Sequence, residues 1–125
     1  MDPNDISACE RMVMRVIWDS EEELDLRHVM DNVNEKFHKE WKPQTVSTFL
    51  ARLVRKGYLT GRRQGRYTYY QPVVKERDFK LSTVLENISF FDKGNNAAFV
   101  CSLFDDMTFT KEDRERIKKK IDELD

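Results

Sequence analysis

Between Trp41 and Pro72 the chain carries seven cations, Lys42, Arg52, Arg55, Lys56, Arg62, Arg63 and Arg66, and no Asp or Glu. The full 125 residues hold 22 basic and 23 acidic side chains, so an acid-free run of this length demands a structural explanation. Its first half, WKPQTVSTFLARLVRKG, spaces Val46, Phe49, Leu50 and Leu53 by three and four. That period predicts a helix with one apolar face against a core. The opposite face is then Gln44, Thr45, Ser47, Thr48, Arg52 and Arg55, small and polar early, cationic late. Pro43 suits the first helical position, where its missing N–H costs nothing, and Gly57 supplies the expected stop.

Tyr58 to Thr60 and Tyr67 to Tyr70 are β-formers, and Gly61 and Gly65 between them predict a turn. A hairpin follows, its tip expected to carry Arg62, Arg63 and Arg66. By itself such a hairpin could be plain solvated surface. Behind a polar-faced helix, itself preceded by two amphipathic helices, it points to a winged helix-turn-helix. Small polar side chains let a helix enter the major groove, and Arg reads a guanine edge or holds a phosphate. The wing then follows the backbone or an adjacent minor groove. Lys42 and the first-turn N–H groups of the helix would face phosphate.

Ser7 and Glu10 form a capping box before a helix whose apolar stripe is Cys9, Met12, Val13, Val16 and Ile17. The acidic stretch Asp19 to Glu23 reads as a solvated loop. Asp25 caps a second helix, on which Leu26, Val29, Met30, Val33 and Phe37 keep the helical period. Acids concentrate here: residues 1–40 hold 5 basic and 11 acidic side chains, residues 41–72 hold 7 and none, and residues 73–125 hold 10 and 12. A net charge of −1 therefore does not argue against nucleic acid, because the field at the binding face governs steering.

Beyond residue 73 a fourth helix is expected from Lys75 to Phe91, with Leu81, Val84, Leu85, Ile88 and Phe91 on one face. Gly94-Asn95-Asn96 ends it. A short apolar helix from Ala97 to Phe104 and a last one capped by Thr110, carrying Ile117, Ile121 and Leu124, complete the tail. Helices this short need a surface to pack on. A second copy of the chain supplies it economically, through Leu85, Ile88, Phe91, Phe99, Val100, Leu103, Phe104, Ile117, Ile121 and Leu124. Folding of the tail back onto its own domain is the other way to cover them. The expected fold is mainly α with a small β-hairpin wing: a winged helix-turn-helix domain over 1–73 and a three-helix dimerisation domain over 74–125.

Several classes are disfavoured. The chain has no run of about 20 apolar residues, and its start, MDPND, is polar and acidic, so neither membrane insertion nor a secretory signal is expected and the location should be cytoplasmic. Cys9 and Cys101 sit in apolar helical patterns, where buried structural thiols are expected. Neither they nor His28 and His38 have metal-ligand spacing, so no metal or cofactor is expected. An enzyme is disfavoured by the absence of a phosphate loop or a nucleophile-base pattern. A winged-helix protein-interaction module without DNA binding stays open, although such modules usually place acids on the face that is acid-free here.

Ser7-Ala8-x-Glu10, the helix end Val16-Ile17-Trp18, then Trp41-x-Pro43-x-Thr45-Val46-x-Thr48, Leu50-x-Arg52-Leu53, Lys56-Gly57 and Tyr69-Tyr70 together resemble the penicillinase and methicillin-resistance repressor family. The resemblance covers nearly the whole chain. It implies a cytoplasmic homodimer that binds a pseudo-palindromic double-stranded DNA operator ahead of resistance genes. It also implies pairing through three C-terminal helices, and release after cleavage in that tail under a membrane-bound metalloprotease sensor. Carried over, Gln44, Thr45, Ser47, Thr48 and Arg52 are recognition-helix contacts and Arg62, Arg63 and Arg66 belong to the wing. The chain departs from the pattern at Lys42, where the family usually has a capping serine, and at Ser47, where some relatives carry a larger or basic residue. It departs again at Ser102-Leu103, which stands where the family's cleaved Asn-Phe bond lies.

Overall fold

The first helix, α1 (Ala8–Asp19), starts where a reciprocal cap holds it: Glu10 N–H donates to Ser7 Oγ at 3.1 Å and Ser7 N–H to Glu10 Oε1 at 3.0 Å. The computed structural model describes residues 2–91 and 93–124. A 3₁₀ turn, Pro3–Asp5, precedes α1. After it come β1 (Leu24–Asp25), α2 (Leu26–Phe37), α3 (Pro43–Arg55), β2 (Leu59–Gln64), β3 (Tyr67–Pro72), α4 (Glu76–Phe91), α5 (Asn96–Asp106) and α6 (Lys111–Asp122).

Val13, Met14, Val16 and Ile17 of α1, Val29 and Val33 of α2, and Val46, Leu50 and Leu53 of α3 are all buried in one core with Tyr58, Leu59 and Phe79. Met14, absent from the expected stripe, is fully buried, whereas Cys9 and Met12 sit at the margin. Three helices each contribute a stripe to one interior. The core therefore forms only when they pack together.

The sheet has the order β1-β3-β2, all antiparallel, so the expected hairpin gains a third strand. Leu24 and Asp25 pair with Tyr70 and Tyr69; in the loop before them Glu21 and Glu22 are exposed, as expected, while Glu23 is paired with Arg62. Gly61 lies within β2 opposite Tyr70, not in the turn. A Cβ there would come within 3.1 Å of Thr68 Cγ2 and 3.4 Å of the Tyr70 ring, so the position is held by close approach across the sheet. The turn itself is Gly65-Arg66, with Gly65 at φ +64. Gly65→Ala should cost about 1 kcal/mol of stability, and Gly65→Asn less, because an L-residue pays for the left-handed conformation; urea midpoints would check it.

Two compact units divide the chain, Met1–Leu85 and Glu86–Asp125. The division lies inside α4, later than residue 73. The reason is Phe79: it is buried, 5.6 Å from the Trp18 ring and 6.0 Å from the Tyr58 ring, which ties the start of α4 into the first core. Trp18 Nε1 donates to the Val74 carbonyl at 3.0 Å, and Arg15 bridges Asp19 and Glu76 at 2.6 and 2.7 Å.

In the second unit α5 and α6 are capped by Asn95 and Thr110, the latter in a box with Asp113. Leu85, at the end of the first unit, and Phe91, Val100, Leu103, Phe104, Ile121 and Leu124 of the second are exposed, as are Phe90 and Met107, while Phe99 and Ile117 are half-buried. Ile88 departs from this set: it is buried within the single chain. Cys101 also departs from its expectation, being exposed on α5.

Candidate nucleic-acid interface

The turn between α2 and α3 is set by one side chain. Asn34 Oδ1 accepts from Trp41 N–H at 2.9 Å and its Nδ2 donates to the Trp41 carbonyl at 3.1 Å, so the chain bends back beside the end of α2. His38 takes the left-handed conformation at the α2 C-cap, φ 55. Trp41 then packs its ring 5.1 Å from Phe49. These contacts fix which way α3 is rotated. Nothing in local sequence marks Asn34 for this, since the pairing is read only once the turn is folded.

With Val46, Leu50 and Leu53 buried, α3 presents Gln44, Thr45, Ser47, Thr48, Arg52 and Arg55 to solvent, as expected. Lys42 is the N-cap and makes no side-chain cap bond, so the first-turn N–H groups of α3 stay open to an external acceptor. Thr48 Oγ1 donates back to the Gln44 carbonyl at 3.0 Å, which holds its rotamer and leaves its oxygen free to accept.

The seven cations of the acid-free run divide sharply. Lys56 turns inward: its Nζ donates to both Glu10 carboxylate oxygens at 3.0 Å and to the Asp5 carbonyl. Arg62 is held by Glu23, with Nη2 at 2.6 Å and Nε at 3.2 Å from Oε2. The side chains of Lys42, Arg52, Arg55, Arg63 and Arg66 make no ion pair or hydrogen bond among the described residues, and all five are exposed.

Strand alternation separates the two neighbouring arginines. Arg62 lies opposite Tyr69, with its guanidinium 5.5 Å over that ring, whereas Arg63 lies opposite Thr68 on the other face. The expectation that Arg62, Arg63 and Arg66 share the hairpin tip is corrected accordingly: only Arg66 sits in the turn. The physical reason is that β2 continues through Gly61 to Gln64, which moves the start of the turn four residues outward.

Two acids beside the hairpin, Asp25 and Glu23, are committed to structural partners. Burial disfavours the charged form of Asp25, yet the His28 N–H at 2.9 Å and its imidazole Nδ1 at 2.6 Å outweigh that and hold its pKa below the ordinary value. The Arg62 guanidinium does the same for Glu23. Among the described residues no cluster of His, Cys, Asp and Glu could hold a metal, and no helix is long and apolar enough to cross a membrane.

A three-helix core, a helix with an exposed polar and cationic face, and a basic β-hairpin behind it define a winged-helix DNA-binding transcriptional regulator, not an enzyme. The chain belongs to the penicillinase repressor family, whose model matches residues 6–123. The methicillin resistance regulatory protein MecI of Staphylococcus aureus is 24% identical over 114 residues, covering 91% of this chain and 90% of its own. The penicillinase repressor of Bacillus licheniformis is 35% identical over 79 residues, 59% of this chain and 56% of its own. The solution structure of the DNA binding domain of the repressor BlaI matches with a TM-score of 0.52 at 33% identity, over 62% of this chain and 90% of that one.

Proposed function

We propose that the protein represses transcription as a homodimer on a pseudo-palindromic operator, in the setting of antibiotic resistance that its relatives' names describe. The observation that carries this reading is the exposed, acid-free face of α3, where Arg52 and Arg55 stand unpartnered beside Thr48, Ser47, Thr45 and Gln44. Dimerisation is supported by the apolar side chains left open on the tail, with Phe90, Phe91 and Leu124 each at least two-thirds exposed. A two-fold pair would set two recognition helices about 34 Å apart, one turn of duplex. Lys42, Arg55, Arg63 and Arg66 hold backbone in this scheme, and Gln44, Thr45, Ser47, Thr48 and Arg52 read bases.

Release by proteolysis at Ser102-Leu103, under a membrane metalloprotease sensor, belongs to the same proposal. That bond lies inside α5, where Ser102 Oγ donates to the Phe99 carbonyl at 2.7 Å. Helical backbone must unwind before a protease can bind it as an extended chain, so cleavage would follow local opening of α5.

Gel-shift titrations separate the assigned roles. Thr48→Ala and Arg52→Ala should each cost about 1–3 kcal/mol on the operator and relax base preference, whereas Arg63→Ala should weaken operator and random duplex alike. Equal losses on both duplexes for all three variants would sink the division between reading and holding. Absence of duplex binding by the unaltered protein would favour a protein-interaction module instead.

A further inference from the structure

We propose that Arg62 is a positioning residue that sets the wing through Glu23, and is not one of the phosphate contacts. This rests on the DNA-binding reading above and refines it. Each of the three guanidinium nitrogens already donates within the protein although the side chain is 55% exposed: Nε and Nη2 to Glu23 Oε2, and Nη1 to Gln64 Oε1 at 2.9 Å. Its plane lies over the Tyr69 ring. Glu23 in turn accepts from Gln71 Nε2 through its other oxygen. The Glu23 side chain is 21% exposed, so this acid is tucked against the sheet and not extended into solvent.

The placement of this pair explains what it does. Arg62 belongs to β2 and Glu23 immediately precedes β1, with β3 lying between them, so the ion pair spans the sheet. Leu24 and Asp25, the next two residues, pair with Tyr70 and Tyr69, and Asp25 caps α2 through the His28 N–H. One short segment therefore grips the hairpin at Glu23, joins its sheet at Leu24 and Asp25, and starts the helix that leads into α3. The segment thus braces the far side of a hairpin whose near end is tied to α3 by the Tyr58 N–H bond to the Leu53 carbonyl at 2.9 Å. A neutral pair also releases few counterions, whereas Arg63 and Arg66 keep their full charge for phosphate.

The test uses the full chain, binding measured by fluorescence anisotropy at several salt concentrations to a dyad duplex selected from a random pool. Arg62→Ala and Glu23→Gln should each weaken binding roughly tenfold, and the double variant should lose no more than either alone, as coupled sites do. Neither should change the slope of log affinity against log salt, while Arg63→Ala should reduce it by about one per protomer. The exchanged pair Glu23→Arg with Arg62→Glu, which keeps net charge, should recover most of the loss. If Glu23→Gln binds more tightly than the unaltered protein and Arg62→Ala lowers the slope by about one per protomer, Arg62 is a phosphate ligand and the proposal is overturned. Additive losses with no recovery in the exchanged pair overturn it as well. If the unaltered protein shows no salt-dependent duplex binding, the DNA-binding reading has failed, and not the brace alone.

Discussion

Raising monovalent salt from about 50 to about 200 mM should weaken operator binding by roughly 10³–10⁵-fold, the loss expected for six to ten phosphate contacts. The number of contacts follows from which cations remain free. Of the seven in the acid-free run, Lys56 and Arg62 are neutralised internally by Glu10 and Glu23. Lys42, Arg52, Arg55, Arg63 and Arg66 stay exposed and unpartnered among the described residues. If Arg52 reads bases and the other four hold phosphate, a dimer makes about eight phosphate contacts, and log affinity should fall against log salt with a slope near −7. A slope near −4 would mean that one protomer binds, or that the hairpin stays off the duplex. The net charge of −1 does not weaken this expectation, because the acids that reach the run, Glu10 and Glu23, are paired with Lys56 and Arg62, and the potential at the face is local.

Glu10→Ala should destabilise the protein by about 3 kcal/mol, combining a lost helix cap with a broken, mostly buried ion pair. Glu10 is 2% exposed, accepts the Ser7 N–H, and holds the Lys56 ammonium at 3.0 Å from both oxygens. The fully buried figure of roughly 3–5 kcal/mol is reduced here because the Lys56 side chain, about a quarter exposed, can turn to water. Lys56→Met should be costly for the opposite reason: it leaves a buried carboxylate without its cation.

The pH dependence of this site has a definite sign. Burial raises the pKa of Glu10, but the Ser7 N–H and the Lys56 ammonium outweigh it, so the folded value lies below the ordinary one. A depressed carboxylate contributes its full stability above the unfolded value, roughly pH 4.3, and loses it as pH falls through the folded value. Glu23, Asp25 and Glu76 are shifted the same way. Stability should therefore fall steeply below about pH 4, and the gap between the unaltered protein and Lys56→Met should narrow on acidification. Urea denaturation at pH 7 and in that acid range, followed by far-UV circular dichroism, measures both. An unchanged gap across that range would remove Glu10 from the account.

Much of the local structure was legible in residues alone. The Ser7/Glu10 box, the Asp25 and Thr110 caps, the helical period of Val46, Leu50 and Leu53, and Gly57 at the end of α3 all act within one or two turns of chain. Their physics is complete in a short window, so spacing suffices. The exposed face of α3 follows from the same period, because burying one side of a helix turns the other outward.

What tertiary structure decided was the fate of charges and rings whose partners are distant. Lys56 meets Glu10 across 46 positions, Arg62 meets Glu23 across 39, and Trp18 donates to Val74 across 56. A basic run in sequence cannot reveal which of its members is already neutralised, since Coulomb attraction depends on distance in space and not along the chain. Register decided the rest. A single-residue step in β2 places Arg62 over Tyr69 and Arg63 on the opposite face, and only strand pairing sets where that alternation begins. By itself the sequence determined that a polar-faced helix would stand exposed beside a basic hairpin. Folding selected which cations that surface keeps.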